Sequence, residues 1–269
     1  MPDHAAPLRR FRNSRPDAWW LQPAATGAGL VLLFGYLTIR AFHPVYVWWE
    51  PYVSPAVAPP VFTAASGLPG SVPVDHAWLG AFPGWWPSFV PQSPAFVLPW
   101  LAIVFRFTCY YYRGAYYKGI FLTPPACGVG GISRSYRGET TLLLFQNLHR
   151  YALYAGLFLL VALWWEAIGA FFRHGRFGIG VGTAVMVTNA ALLSSWTLGC
   201  HSWRHLIAGR TDCFSCSRGG SARYHAWRGT TWLNERHMLF AWCSLVWVAI
   251  TDVYVYLVSS GAILDWNTW

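Results

Sequence analysis

Charge is what this sequence lacks. Only 11% of its 269 residues are Asp, Glu, Lys or Arg, against about 25% in ordinary soluble domains. Acidic residues are the scarcer sign, 10 against 19 Lys and Arg, which leaves a formal net charge of +9. No long polar stretch gathers that charge into a domain that could present a basic groove, so the charge does not argue for nucleic acid as a partner. Between His43 and Ser93 there is no Lys or Arg at all. No small-residue cleavage site accompanies the first apolar segment, so that segment is expected to remain as a start-transfer helix behind a basic tail. No internal repeat of the kind common in transporters is evident.

Apolar and aromatic residues fill the space that charge leaves, at 55% and 18% of the chain, and the mean hydropathy is +0.33. The economical reading is a single integral membrane domain over residues 1–269, all-α, built as a five-helix transmembrane bundle. A spanning helix needs about 20 mostly apolar residues. Five segments meet that length, at about 24–42, 94–112, 141–170, 179–201 and 233–258. The second is the least regular, because it carries Pro99 and Arg106.

Lys and Arg orient the bundle. The N-terminal tail carries Arg9, Arg10, Arg12 and Arg15. The segment between spans two and three carries Arg113, Lys118, Arg134 and Arg137. Between spans four and five come Arg204, Arg210, Arg218, Arg223, Arg228 and Arg236. These 14 face only Arg173 and Arg176 on the other side. The positive-inside rule therefore puts the N-terminus in the cytoplasm and, with five crossings, the C-terminus outside. The outer loop, about 43–93, holds more than half of the 18 prolines together with Trp48, Trp49, Trp78, Trp85 and Trp86. Its prolines exclude long helices. Its aromatics suit the membrane interface, as a packing loop or as a lid over the bundle.

Cysteine and histidine collect on the cytoplasmic side. His201 and His205 lie four apart in GCHSWRHL, so on a helix they share a face. Cys213 and Cys216 form a CxxC a short turn later, a spacing that holds one metal or two adjacent irons. Two imidazoles and two thiolates are the ligand set of a Rieske-type [2Fe–2S] centre. The order is not the standard Rieske motif, so Cys127, Cys200, His149 and His237 stand as alternative ligands. A structural zinc site, or a reducible dithiol without metal, uses the same residues. A disulfide is not expected on a reducing face. Cys109 lies near the same rim, and Cys243 reads as a packing residue inside span five. His149 falls about 12 Å into span three, where an ionisable residue is by default functional, as haem ligand, iron ligand or quinone donor. Glu166 and Asp252 lie toward the outer half, to pair with each other or with Arg40, or to line a proton or quinone path.

An Arg-His-Leu at the cytoplasmic end of a membrane helix, within GCHSWRHLIAG at residues 199–209, resembles the histidine-bearing helix of succinate dehydrogenase and fumarate reductase membrane anchors. With the neighbouring Cys/His cluster and the five-helix layout, the chain is most similar to the actinobacterial, mycobacterial-type succinate dehydrogenase membrane subunit, which carries a membrane-embedded Rieske-type cluster. The resemblance implies a multi-pass protein of the bacterial plasma membrane that docks a flavoprotein and an iron–sulfur subunit. It would pass electrons from succinate oxidation through a [2Fe–2S] centre to a membrane quinone, menaquinone or ubiquinone. Arg204 and His205 match the Arg-His positions, with Arg204, Trp203 and Tyr151 as groups to hold the quinone. A haem b anchor without a cluster is the alternative, with His149 and His205 or His237 as axial pair. A higher oligomer of the complex is compatible with the reading.

Overall fold

The computed structural model describes residues 15–64, 67–130, 142–209, 211–216 and 218–269. Arg9, Arg10, Arg12, Arg134, Arg137, Arg210 and the expected start of span three at residue 141 lie outside the described residues. Among the described residues, four helices are long and apolar enough to cross a membrane: α1 (Leu21–Phe42), α4 (Leu142–Gly169), α5 (Val181–Leu198) and α8 (His237–Ser259). They match the first, third, fourth and fifth expected spans. Each rests on a mostly apolar run, and large side chains such as Leu32, Val161 and Trp165 stand exposed on their outer faces, as on helices bathed in lipid.

The second expected span differs. Over residues 94–119 the chain forms a 3₁₀ turn (Pro94–Phe96), a nine-residue helix α2 (Trp100–Thr108) and a ten-residue helix α3 (Tyr110–Gly119). Neither helix is long enough to cross alone. The break is Cys109, whose backbone is extended at φ −63° and ψ 130°. α3 reads YYYRGAYYKG, amphipathic by tyrosine and arginine rather than apolar. The region between spans four and five is also not a loop. It holds α6 (His201–Ala208) and α7 (Gly220–Glu235), which pack on each other.

Two hairpins, β1 (Trp48–Trp49) with β2 (Tyr52–Val53) and β3 (Phe172–Arg173) with β4 (Arg176–Phe177), lie at one end of the bundle, here the loop end. The opposite end carries most of the described Lys and Arg residues, among them Arg113, Lys118, Arg204, Arg223, Arg228 and Arg236, and is called the basic end. Residues 43–64 and 67–93 fold on a small nucleus of Val47, Val53, Val57, Ala58 and Val72 set against Leu163 of α4. Tyr52 is fully buried, and its ring lies over Gly182 so closely that a Cβ there would stand 2.2 Å from the ring. Its hydroxyl donates to Asp265 at 2.8 Å, and Asp265 also accepts from the Gly182 N–H at the start of α5, where a carboxylate meets the positive end of the helix dipole.

α1 buries only Pro23, Gly27, Leu30 and Arg40, so few contacts hold it. At the basic end it crosses α3 backbone to backbone: a Cβ on Gly27 would stand 2.4 Å from the Gly119 carbonyl oxygen. Small residues at such crossings allow helices in lipid to approach. Gly27→Val is therefore expected to cost about 1–3 kcal/mol, read as a lower thermal midpoint in detergent. An unchanged midpoint would show that the crossing carries no stability.

Candidate metal centre

The site is built at helix junctions. Cys109 links α2 to α3, and Cys200 links α5 to α6 with a near-identical extended backbone, φ −65° and ψ 140°. Each cysteine thus sits where one helix stops and the next starts, its side chain turned into the bundle. Both are buried in the main core with Phe105, Tyr112, Trp196, Ala241 and Leu245. His149 enters from α4 and is 6% exposed, and His237, partly buried, opens α8.

These four residues form two Cys–His pairs. His149 Nε2 stands 3.0 Å from Cys200 Sγ, and His237 Nε2 stands 3.6 Å from Cys109 Sγ. Aromatic rings join the pairs. Phe105 stacks on His149 at 4.7 Å and packs on Trp196 at 4.8 Å, and Trp196 stacks on His237 at 6.3 Å. The tautomer of His149 follows from Thr108. The Thr108 hydroxyl donates to the Val104 carbonyl at 2.9 Å, so its oxygen accepts from His149 Nδ1–H at 2.9 Å. That leaves Nε2 with its lone pair toward Cys200, the state of a metal-binding imidazole whose other nitrogen is fixed by a neighbour. His237 Nδ1 is buried without a hydrogen-bond partner, an uncompensated polar atom in a dry site.

Among the described residues, no three His, Cys, Asp or Glu side chains close on one point as ligands of a single ion. The core instead gathers four donors, two sulfurs and two imidazoles, which match a Rieske-type two-iron centre in number and type, although the contacts pair Cys with His where such a centre takes both imidazoles on one iron. Two sulfurs and two imidazoles, shielded from water, fit such a group in donor chemistry.

The first-choice ligands stand elsewhere. His201 and His205 share α6 as their spacing predicts, but both are exposed. Cys213 and Cys216 are joined in a disulfide, Cα to Cα 5.4 Å, which corrects the expectation that this pair stays reduced. A CxxC turn brings its two sulfurs within bonding reach of each other, and a sulfur so bonded is not a thiolate ligand. Cys127 is exposed, and its carbonyl accepts from Arg15. Of the alternatives, Cys200, His149 and His237 are in the core site. Cys109, noted near the rim but not proposed as a ligand, is the fourth. No sequence signal singled it out, since it shares no spacing with the other three.

The three quinone candidates also separate. Arg204 bonds Thr231 at 3.1 Å and lies over Trp227, Trp203 packs against the core, and Tyr151 is 73% exposed on α4. A larger cleft of about 950 Å³ opens at the basic end, lined by Trp19, Gln22, Tyr110, Tyr111, Arg113 and Lys118 among others. At its mouth Arg15 binds Asp17 and holds that carboxyl below its usual range. Toward the loop end, Asp252 pairs with Arg40, and Glu166 faces His76 at 3.5 Å.

Comparison with known proteins shows the family. The family model for actinobacterial succinate dehydrogenase subunit SdhC matches residues 21–261. A chain of the Mycobacterium smegmatis Sdh1 complex in the apo form is 37% identical, with a TM-score of 0.83, over 100% of this chain and 97% of that one. No curated protein matches the sequence.

Proposed function

The chain belongs to the actinobacterial succinate dehydrogenase SdhC family, as a membrane subunit of that complex, and from this membership we propose that it carries a Rieske-type [2Fe–2S] centre between its partner subunits and a membrane quinone. The observation that carries the reading is the gathering of two cysteines and two histidines, Cys109, Cys200, His149 and His237, in one core. A [2Fe–2S] centre held there would accept and release one electron at a time.

The chain's own residues supply the rest. Cys109 and Cys200 would bind as thiolates, and His149 and His237 as neutral imidazoles through Nε2. Thr108 orients His149, and Phe105 and Trp196 keep water out. The arginines of the basic end suit docking of the flavoprotein and iron–sulfur subunits on the cytoplasmic face. The N-terminus then lies in the cytoplasm, and α2 with α3 completes a fifth crossing that leaves the C-terminus outside the plasma membrane. The 950 Å³ cleft beside Tyr110 and Tyr111, which directly follow Cys109 in sequence, is of a size to take a menaquinone or ubiquinone head. Trp242 donates to the Tyr111 hydroxyl at 2.6 Å, which leaves that hydroxyl's proton free for a quinone carbonyl.

The test is pulsed EPR on the purified, dithionite-reduced complex. Nitrogen couplings from two imidazole ligands are expected, together with two irons per complex beyond those of the partner subunits. Haem absorption bands without such couplings would overturn the cluster and favour a haem b anchor. Zinc without the extra iron would overturn it in favour of a structural site.

A further inference from the structure

Arg106 is a buried charge in the core. It lies on α2 in the middle of the second apolar segment and is 5% exposed. Its two terminal nitrogens are hydrogen-bonded, and each of those partners is neutral. Nη1 bonds the Tyr112 hydroxyl and reaches the Ala241 carbonyl at 3.4 Å, and Nη2 donates to Ser244 Oγ at 3.1 Å. Among the described residues no carboxylate stands within ion-pairing distance of it. A buried charge met only by dipoles is expensive, and residues of this kind in membrane spans mark functional sites.

The position suggests what the charge serves. Arg106 is three residues before Cys109, and its carbonyl accepts from the Cys109 N–H at 3.1 Å. Its Cζ lies 4.2 Å over the Trp196 ring, and that ring stacks in turn on His237. Guanidinium, indole and imidazole thus form one column that ends on a proposed ligand. Bound by two thiolates and two neutral imidazoles, two ferric ions and two sulfides sum to no net charge, and one added electron makes the sum minus one. A fixed cation in a dry site interacts little with the first state and attracts the second.

We propose that Arg106, held by Tyr112, Ser244 and Trp196, is the positioned positive charge that raises the reduction potential of the cluster. It acts through space and touches no reacting atom, so it is a tuning residue rather than a catalytic one. This rests on the cluster assignment above, and the two fail differently.

The test is an EPR-monitored redox titration of the assembled complex. Arg106→Gln is expected to lower the equilibrium constant for one-electron reduction at least tenfold, which for one electron is 59 mV. Arg106→Lys, which keeps the charge, is expected to stay near wild type. If Arg106→Gln does not assemble, Ser244→Asp carries the test. A carboxylate placed against the retained guanidinium neutralises the column, and the same fall is expected. Imidazole couplings must persist in each variant, because a structural role alone would change the signal and not its midpoint. Intact signals with an unmoved midpoint in Arg106→Gln or Ser244→Asp overturn the inference and leave the cluster standing. A wild-type complex without imidazole couplings overturns both. A change in quinone affinity at constant midpoint overturns the inference too, by assigning Arg106 to the apolar cavity of about 190 Å³ that it lines with Leu30, Phe34 and Tyr112.

Discussion

Cys200→Ser is expected to remove the imidazole-coupled EPR signal and two irons from the purified complex, while the complex still assembles. The reason is the place of the sulfur. Cys200 Sγ is buried and faces His149 Nε2 at 3.0 Å, with the Ser202 N–H at 3.4 Å behind it. A serine hydroxyl is not ionised at neutral pH and binds iron poorly there. Changing a group behind a metal ligand already costs about 10–100-fold in affinity or activity, so loss of a direct ligand should exceed the upper figure in quinone reduction. Succinate oxidation measured with a soluble electron acceptor should survive, since that chemistry lies in the partner subunits. Cys213→Ser and Cys216→Ser provide the contrast. Their sulfurs are bonded to each other outside the core, and both variants should keep the full signal. Loss of the signal in Cys213→Ser with retention in Cys200→Ser would return the ligands to the α6–α7 connection and refute the core site.

That contrast shows where the sequence was readable. Spans α1, α4, α5 and α8 follow from apolar runs, and the arrangement of arginines at one end follows from simple counting. His149 was legible as an ionisable residue deep in a span. The second span was not legible, because Cys109 breaks it and α3 hides its inner face under tyrosines and Arg113. α6 and α7 were missed for the same reason: they are held by packing on each other rather than by an apolar run. The site was hardest to find. Cys213 and Cys216 form a local motif that attracts attention through spacing alone. The core residues come one from each of four segments, at 109, 149, 200 and 237, and share no spacing. Only the bundle brings them together, so from sequence any Cys or His on the same rim was as plausible a ligand as these four. Tertiary contact also decided the acidic pair: Asp252 took Arg40, and Glu166 took His76.

Asp252→Ala is expected to destabilise the chain by about 3–5 kcal/mol, the cost of leaving one member of a buried ion pair without the other. Asp252 is fully buried on α8 and Arg40 is 7% exposed on α1. The pair is two-pronged, with Arg40 Nε to Oδ2 at 2.7 Å and Nη2 to Oδ1 at 3.2 Å. The hydroxyls of Tyr36 and Ser54 donate to the same carboxylate, and Arg40 Nη1 donates to the Val45 carbonyl at 2.9 Å. One carboxylate therefore ties the loop end of α1, the start of residues 43–93 and α8 together. α1 has little else to hold it there, since its other close crossing, Gly27 on Gly119, is near the basic end. Removing the carboxylate leaves a buried guanidinium and two hydroxyls without their acceptor. Replacing both charges, as Arg40→Met with Asp252→Leu, should recover much of the loss, because the matched apolar pair leaves no charge uncompensated. The measurement is thermal inactivation in detergent across the four-member cycle. A single variant within about 0.5 kcal/mol of wild type, the range of ordinary surface changes, would mean that α1 is held by lipid and not by this pair.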